Sequence, residues 1–167
     1  GYLNGATIRN LRLENVNISA TGSMSSYVGG LAGSIFNTQL SGCSSSGNIA
    51  SPDSSIGGLV GYAETDSSPA IVSLEDCVSV VQVQGNSFIG GLAGYQGSCG
   101  IVRCQASGLI TGWQSVGGLV GLNLGGTIDQ CSSASGVLAN DSSNYAGGLV
   151  GLFYGTKGAD TAIEEFR

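Results

Sequence analysis

Four cysteines, Cys43, Cys77, Cys104 and Cys131, recur along this chain at one stage of a repeating pattern, and eleven carboxylates stand among them without a single histidine. The missing histidine excludes Ser-His-Asp and Cys-His nucleophiles and any His-ligated zinc. Four thiolates would bind zinc only by converging on a tetrahedron, whereas one cysteine per repeat makes a straight ladder. Val16 fills the same position in the first repeat, so the site reads as one for a small buried apolar group, a role that free cysteine plays well. Stacked neighbours would lie about 4.8 Å apart, a Cα spacing that allows a disulfide. Parallel side chains rarely reach the dihedral it needs. Cys99 stands outside the series, five residues before Cys104, and is the better partner if a bridge forms.

The carboxylates are the other candidates for chemistry. Glu75 and Asp76 are adjacent, and Glu14, Asp76 and Asp129 fall near one stage of their repeats, so stacking could bring two acids together. A glycosidase pair needs a separation of about 5–9.5 Å inside a cleft. Gly42 and Arg103 interrupt the column, and Arg103 beside Asp76 reads as a solvated ion pair. Asp53, Asp66 and Asp141 sit among Ser and Asn in turns. The Gly-Gly-x-Gly-x-Asp repeat of calcium-loaded β-rolls is missing, so turn capping is the expected role, with no metal and no cofactor. Four aromatic residues, Tyr27, Phe88, Trp113 and Tyr145, lie one to four residues before a glycine motif. Stacked on one face they would grip a glycan or a protein; otherwise they cover the core at a corner. Trp113, in a turn, is the first choice for an exposed contact.

The elements that position these groups are set by a pentapeptide, Gly-Gly-Leu-(Ala/Val)-Gly, written five times. Its first glycines are Gly29, Gly57, Gly90, Gly117 and Gly147, and its leucines are Leu31, Leu59, Leu92, Leu119 and Leu149. A period of 27–33 residues marks a solenoid. A second ladder runs in phase with it: Leu13/Val16, Leu40/Cys43, Leu74/Cys77, Ile101/Cys104 and Ile128/Cys131. A third follows at Ile18, Ile49, Val83, Ile110 and Leu138. Three short apolar segments per unit, separated by Gly, Ser, Asn and Asp, predict one turn of a three-sided coil. Glycine three times in five positions marks a corner or a pinched cross-section. The expected fold is all-β: a right-handed parallel β-helix-like solenoid of about five to six coils over residues 1–156. Residues 157–167 form a tail in which Thr161 and Glu164, spaced as a capping box, read as a helix start or the beginning of a next module.

Composition narrows function further. Five basic residues against eleven acidic ones give a net charge of −6, which offers no footprint for nucleic acid or an anionic membrane. No apolar run approaches the roughly 18 residues of a membrane span. Low charge with in-phase apolar residues argues for a folded chain despite 30 glycines. The opening Gly1-Tyr2-Leu3-Asn4, without a charged leader, reads as the start of a segment from a longer protein.

The repeated Gly-Gly-Leu-Val/Ala-Gly, with its intervening Ile-x-x-Cys, resembles the GLUG repeat family from about Gly5 to Gly151. The lead-in Asn10-Leu11-Arg12-Leu13-Glu14-Asn15-Val16-Asn17-Ile18 also resembles segments that precede such repeats in bacterial immunoglobulin A1-cleaving zinc metallopeptidases. GLUG repeats occur in large bacterial surface adhesins as well. The resemblance implies an extracellular, secreted or surface-attached bacterial protein, with the repeats as a non-catalytic stalk or binding region. Its partners would be a host glycan or host protein and the flanking modules of its own chain. The peptidase signature His-Glu-x-x-His is absent, so no catalytic residue carries over. The alternative class is a polysaccharide-cleaving β-helix enzyme.

Overall fold

Short apolar runs broken by Gly, Ser and Asn suit strands that pair only with the next coil. The computed structural model describes residues 1–21, 27–52, 54–66, 71–140, 145–155 and 163–164. It is a parallel β-solenoid of about five turns, with no helix among the described residues. The first sheet contains Tyr2–Asn4, Ala32–Phe36, Val60–Glu64, Ala93–Gln96, Val120–Leu124 and Val150–Tyr154. The second contains Thr7–Arg9, Gln39–Ser41, Val72–Glu75, Gly100–Val102, Thr127–Asp129 and Ile163–Glu164. The third holds the longest strands, Arg12–Ser19, Ser44–Ala50, Val78–Gln84, Gln105–Gly112 and Ser132–Ala139. The fourth is made of Val28–Gly29, Ser54–Gly57, Ser87–Gly90, Gln114–Gly117 and Ala146–Gly147.

The coil therefore has four sides, not three. The difference arises because the pentapeptide is not one strand. Its first glycine ends a strand of the fourth sheet, its second glycine and leucine make the bend, and its Ala/Val-Gly opens a strand of the first sheet. The leucines stack through their backbones: Leu59 N–H donates to Leu92 O at 2.9 Å, and Leu92 N–H to Leu119 O at 2.9 Å. Leu59, Leu92 and Leu119 are fully buried.

The pinched cross-section is a waist between two apolar chambers. One chamber holds the Leu59–Leu92–Leu119 column, the Leu40–Leu74–Ile101–Ile128 column and the cysteines. The other holds Ile49, Val83 and Ile110 of the third sheet against Ile56, Ile89 and Val116 of the fourth. At the waist the second glycines meet small side chains of the third sheet: Gly30 faces Ser45, Gly58 faces Ser79, Gly91 faces Ala106 and Gly118 faces Ser133. Ser45 Oγ donates to Gly58 O at 2.8 Å, and Ser135 Oγ to Gly118 O at 3.0 Å. A larger residue on either side would push the sheets apart.

Register corrects three readings of the sequence. Leu40 pairs with Ile8, not with Leu13, so the first coil's counterpart of Cys43 is Leu11 and not Val16. Ile8/Leu11 and Leu13/Val16 have the same spacing of three, and a bulge between Leu13 and Val16, where Asn15 has φ 54°, shifts the later part by one residue. In the last coil, Ile110 pairs with Val137, leaving Leu138 on the outside at 52% exposure. In the tail, Ile163–Glu164 is a strand that pairs with Ile128–Asp129 in place of a helix start; the tail's other residues from 157 on lie outside the described residues.

A column of left-handed residues runs up the fourth sheet, with Ser55, Phe88 and Ser115 at φ 57°, 52° and 51°. Glycine adopts this region without the roughly 1–2 kcal/mol that an L-residue meets there. Ser115 also buries a hydroxyl that has no hydrogen-bond partner among the described residues. Ser115→Gly is therefore expected to stabilise the fold by roughly 1 kcal/mol, after allowing for glycine's freedom in the unfolded chain. Urea unfolding would check it: the midpoint should rise with an unchanged slope.

Candidate functional site

The corner between the third and fourth sheets carries a groove of about 420 Å³ whose walls include Ser19, Ala50, Gln84, Asn86 and Trp113. It continues onto the outer face of the third sheet as a smaller trough of about 300 Å³ past Asn17, Asn48 and Gln82. Strand alternation creates this face. Val81 and Val83 point inward, so Val80, Gln82 and Gln84 point out. Parallel register then stacks Asn17 on Asn48 on Gln82, one amide per coil across three coils. All three are exposed, as are Gln84 and Asn86.

Trp113 is 55% exposed at the groove's edge, where its backbone N–H donates to Asn86 O at 2.9 Å. Tyr27 and Tyr145 are also exposed, and Phe88 is half-buried. These four residues do not form one column. Tyr27, Phe88 and Tyr145 share a position with Ser55 and Ser115, so a serine separates each ring from the next, and Trp113 lies two residues earlier, level with Asn86. The ring ladder is elsewhere. Tyr62 stacks on Tyr95 on the first sheet at 4.5 Å between centroids and 9° between planes, and Tyr27 tilts onto Tyr62 at 4.6 Å. Its signal was the tyrosine after the third glycine, in Gly61-Tyr62 and Gly94-Tyr95.

The carboxylates are held as structure. Arg103 binds Asp76 in a two-pronged contact, Nε to Oδ1 at 2.8 Å and Nη2 to Oδ2 at 3.0 Å, and reaches Glu75 with the same Nη2 at 2.5 Å. Hydrogen bonds from the guanidinium hold the Asp76 carboxyl below its ordinary range, which keeps it from serving as a proton donor near neutrality. Asp129 aligns with Glu75 but is two coils away, with Val102 between them. Glu14 pairs with Arg12 at 2.6 Å on the third sheet and is not part of that column. Asp66 is held across coils, accepting from Asn37 Nδ2 at 2.7 Å. Asp53 and Asp141 lie outside the described residues.

The cysteines close the corner between the second and third sheets. Each follows a left-handed residue, namely Gly42, Asp76, Arg103 and Gln130. Each thiol donates to the carbonyl two residues back, Cys77 to Glu75 O at 3.3 Å and Cys131 to Asp129 O at 3.1 Å. Each sulfur also accepts from the corner below it: Cys77 N–H meets Cys104 Sγ at 3.4 Å, and Cys104 N–H meets Cys131 Sγ at 3.3 Å. All five cysteines are free and buried, Cys99 included. Burial pushes the Cys99 thiol up to about 12 and raises Cys43 as well, so neither is a nucleophile.

Sequence reasoning missed a buried amide pair. Gln96 and Asn123 replace the apolar Ile35 and Ala63 in one inward column because the loops beside them expose backbone groups. Gln96 Nε2 donates to Cys99 O at 2.8 Å and Thr127 O at 2.9 Å. Asn123 Nδ2 donates to Gln96 Oε1 at 2.8 Å, while its Oδ1 accepts from Gly126 N at 3.0 Å. These amides are spent inside; those of the groove face outward.

Residues 24–50 and 114–137 match the family model of the GLUG motif. The two matches take in the first pentapeptide and the fourth. The copies that begin at Gly57, Gly90 and Gly147 lie outside them yet hold the same place in the coil. No curated protein and no solved structure matches the chain.

Proposed function

We propose that this array of GLUG repeats is a non-catalytic module of a secreted or surface-attached bacterial protein, acting as a spacer that also adheres. The observation that carries this reading is the state of the acids. The adjacent pair Glu75 and Asp76 is bound to Arg103 on the surface, away from the Trp113 groove. The groove itself offers amides, hydroxyls and an indole, which bind but do not exchange protons at neutral pH.

The purified segment is expected to bind host cells or a host surface protein through Trp113. Trp113→Ala should weaken that binding at least about tenfold, the effect of losing an aromatic anchor, with the melting transition nearly unchanged. Binding that survives the substitution, or a fold lost with it, would defeat the assignment of Trp113. Sequencing the parent gene through both flanks separates the two settings for the module. A His-Glu-x-x-His helix would make it the accessory region of an immunoglobulin A1-cleaving peptidase; further glycine repeats and a wall or membrane anchor would make it an adhesin stalk.

A further inference from the structure

We propose that the Trp113 groove binds an extended neutral oligosaccharide, laid along the stack so that its rings meet Trp113 and the outward amides of successive coils. This deepens the adhesive reading and rests on it.

The chain carries sixteen charged residues, five basic and eleven acidic. Yet the third-sheet strands Ser44–Ala50, Val78–Gln84, Gln105–Gly112 and Ser132–Ala139 contain none. Arg12 and Glu14 of the first coil are the sheet's two charges and pair with each other. Among the described residues none lining the groove or its trough is charged. An acidic or basic ligand would lose its hydration there with no countercharge in return. A neutral polyhydroxylated one loses little.

Side-chain amides offer a donor pair and an acceptor on one planar group, which suits the paired hydroxyls of a pyranose. Asn17, Asn48 and Gln82 repeat that group along three coils at about 4.8 Å per coil. Gln84 and Asn86 carry it round the corner to Trp113. An indole face lying half open beside amides is a platform for the apolar face of a sugar ring, with little side-chain freedom to lose. The groove and its trough, about 420 and 300 Å³, fall in the range of small-ligand sites. They share Ser19, Ala50 and Gln84, so they form one track and not two pockets.

Trp113 is the chain's single tryptophan, so its emission reports the groove directly. The test titrates the whole chain with cellohexaose, xylohexaose and mannohexaose, and with hexagalacturonate as the acidic control. At least one neutral hexasaccharide is expected to shift or quench the emission saturably, and hexagalacturonate to leave it unchanged. The affinity should move less than about twofold between low and high salt, since no ion pair forms. By calorimetry, Asn48→Ala and Gln84→Ala should each weaken binding about three- to tenfold, Trp113→Ala at least about tenfold, and Gln105→Ala, on the same sheet outside the groove, not at all. Silence with every neutral sugar, equal binding of hexagalacturonate, or an equal loss in Gln105→Ala would overturn the proposal. So would emission that changes with protein concentration alone, because a second copy would then occupy the groove. The two readings fail separately. Host-surface binding through Trp113 without sugar binding removes the glycan and leaves the adhesin; sugar binding without host-surface binding does the reverse.

Discussion

Gly91→Ala is expected to destabilise the solenoid by at least about 3 kcal/mol, or to prevent folding, although it adds a single methyl group. Gly91 is the second glycine of the central pentapeptide, and a Cβ there would lie within 3.0 Å of Gly118 O, the carbonyl of the same residue one coil on. Ala106 and Ser135 stand close on the third-sheet side, so the methyl cannot swing away across the waist. The clash is with backbone, which relaxes only if two coils separate and the Leu92–Leu119 hydrogen bond between them lengthens. Gly148 holds the same motif position in the last coil and has nothing among the described residues within 4 Å of its ideal Cβ. Gly148→Ala should therefore stay within about 0.5 kcal/mol of the parent. Urea midpoints for the two variants decide the matter. Equal effects would mean that the glycine serves the conformation of the bend and not the contact between coils.

That comparison also shows what was legible in the residues alone. The pentapeptides, the buried leucines and the ladder Leu40, Leu74, Ile101 and Ile128 follow from type and spacing, because identical residues at one phase can stack only on each other. The first coil misled for a physical reason. Ile8/Leu11 and Leu13/Val16 show the same spacing, and the left-handed corner at Asn10, level with Gly42, makes Ile8 the partner of Leu40. Val137 and Leu138 posed the same choice, decided by which of the two continues the column of Ile110.

The candidate groove was less legible, apart from Trp113. Its amides come from three coils, so Asn17, Asn48 and Gln82 form no motif in the sequence and become neighbours only through strand register. Nearness to the glycine motif grouped Trp113, four residues before it, with Tyr27, Phe88 and Tyr145, two residues before it. The left-handed position just before each Val/Ile-Gly sets Trp113 on a different column, beside Asn86. The waist was half legible. The glycines announced a close approach, but Ser45, Ser79, Ala106 and Ser133, which they approach, look like ordinary small residues until the third sheet is folded across them.

Leu92→Ala should cost about 2–5 kcal/mol, the range for a buried leucine cut to alanine in a core that cannot collapse around the cavity. Leu92 is fully buried between Leu59 and Leu119, in a column whose backbone is bonded on both sides. Collapse is barred because glycines flank the leucine and bring backbone, not side chain, to its neighbours. Leu149 packs against the same core only in part and has one leucine neighbour in the column. In a stack where each coil touches only the next, the loss should scale with the number of covered sides. Leu149→Ala is then expected to cost roughly half as much as Leu92→Ala, measured as the difference in urea unfolding free energy for the same chain. Equal costs would show that the coils unfold as one unit whatever their place in the stack, and that the nearest-neighbour description of this solenoid is wrong.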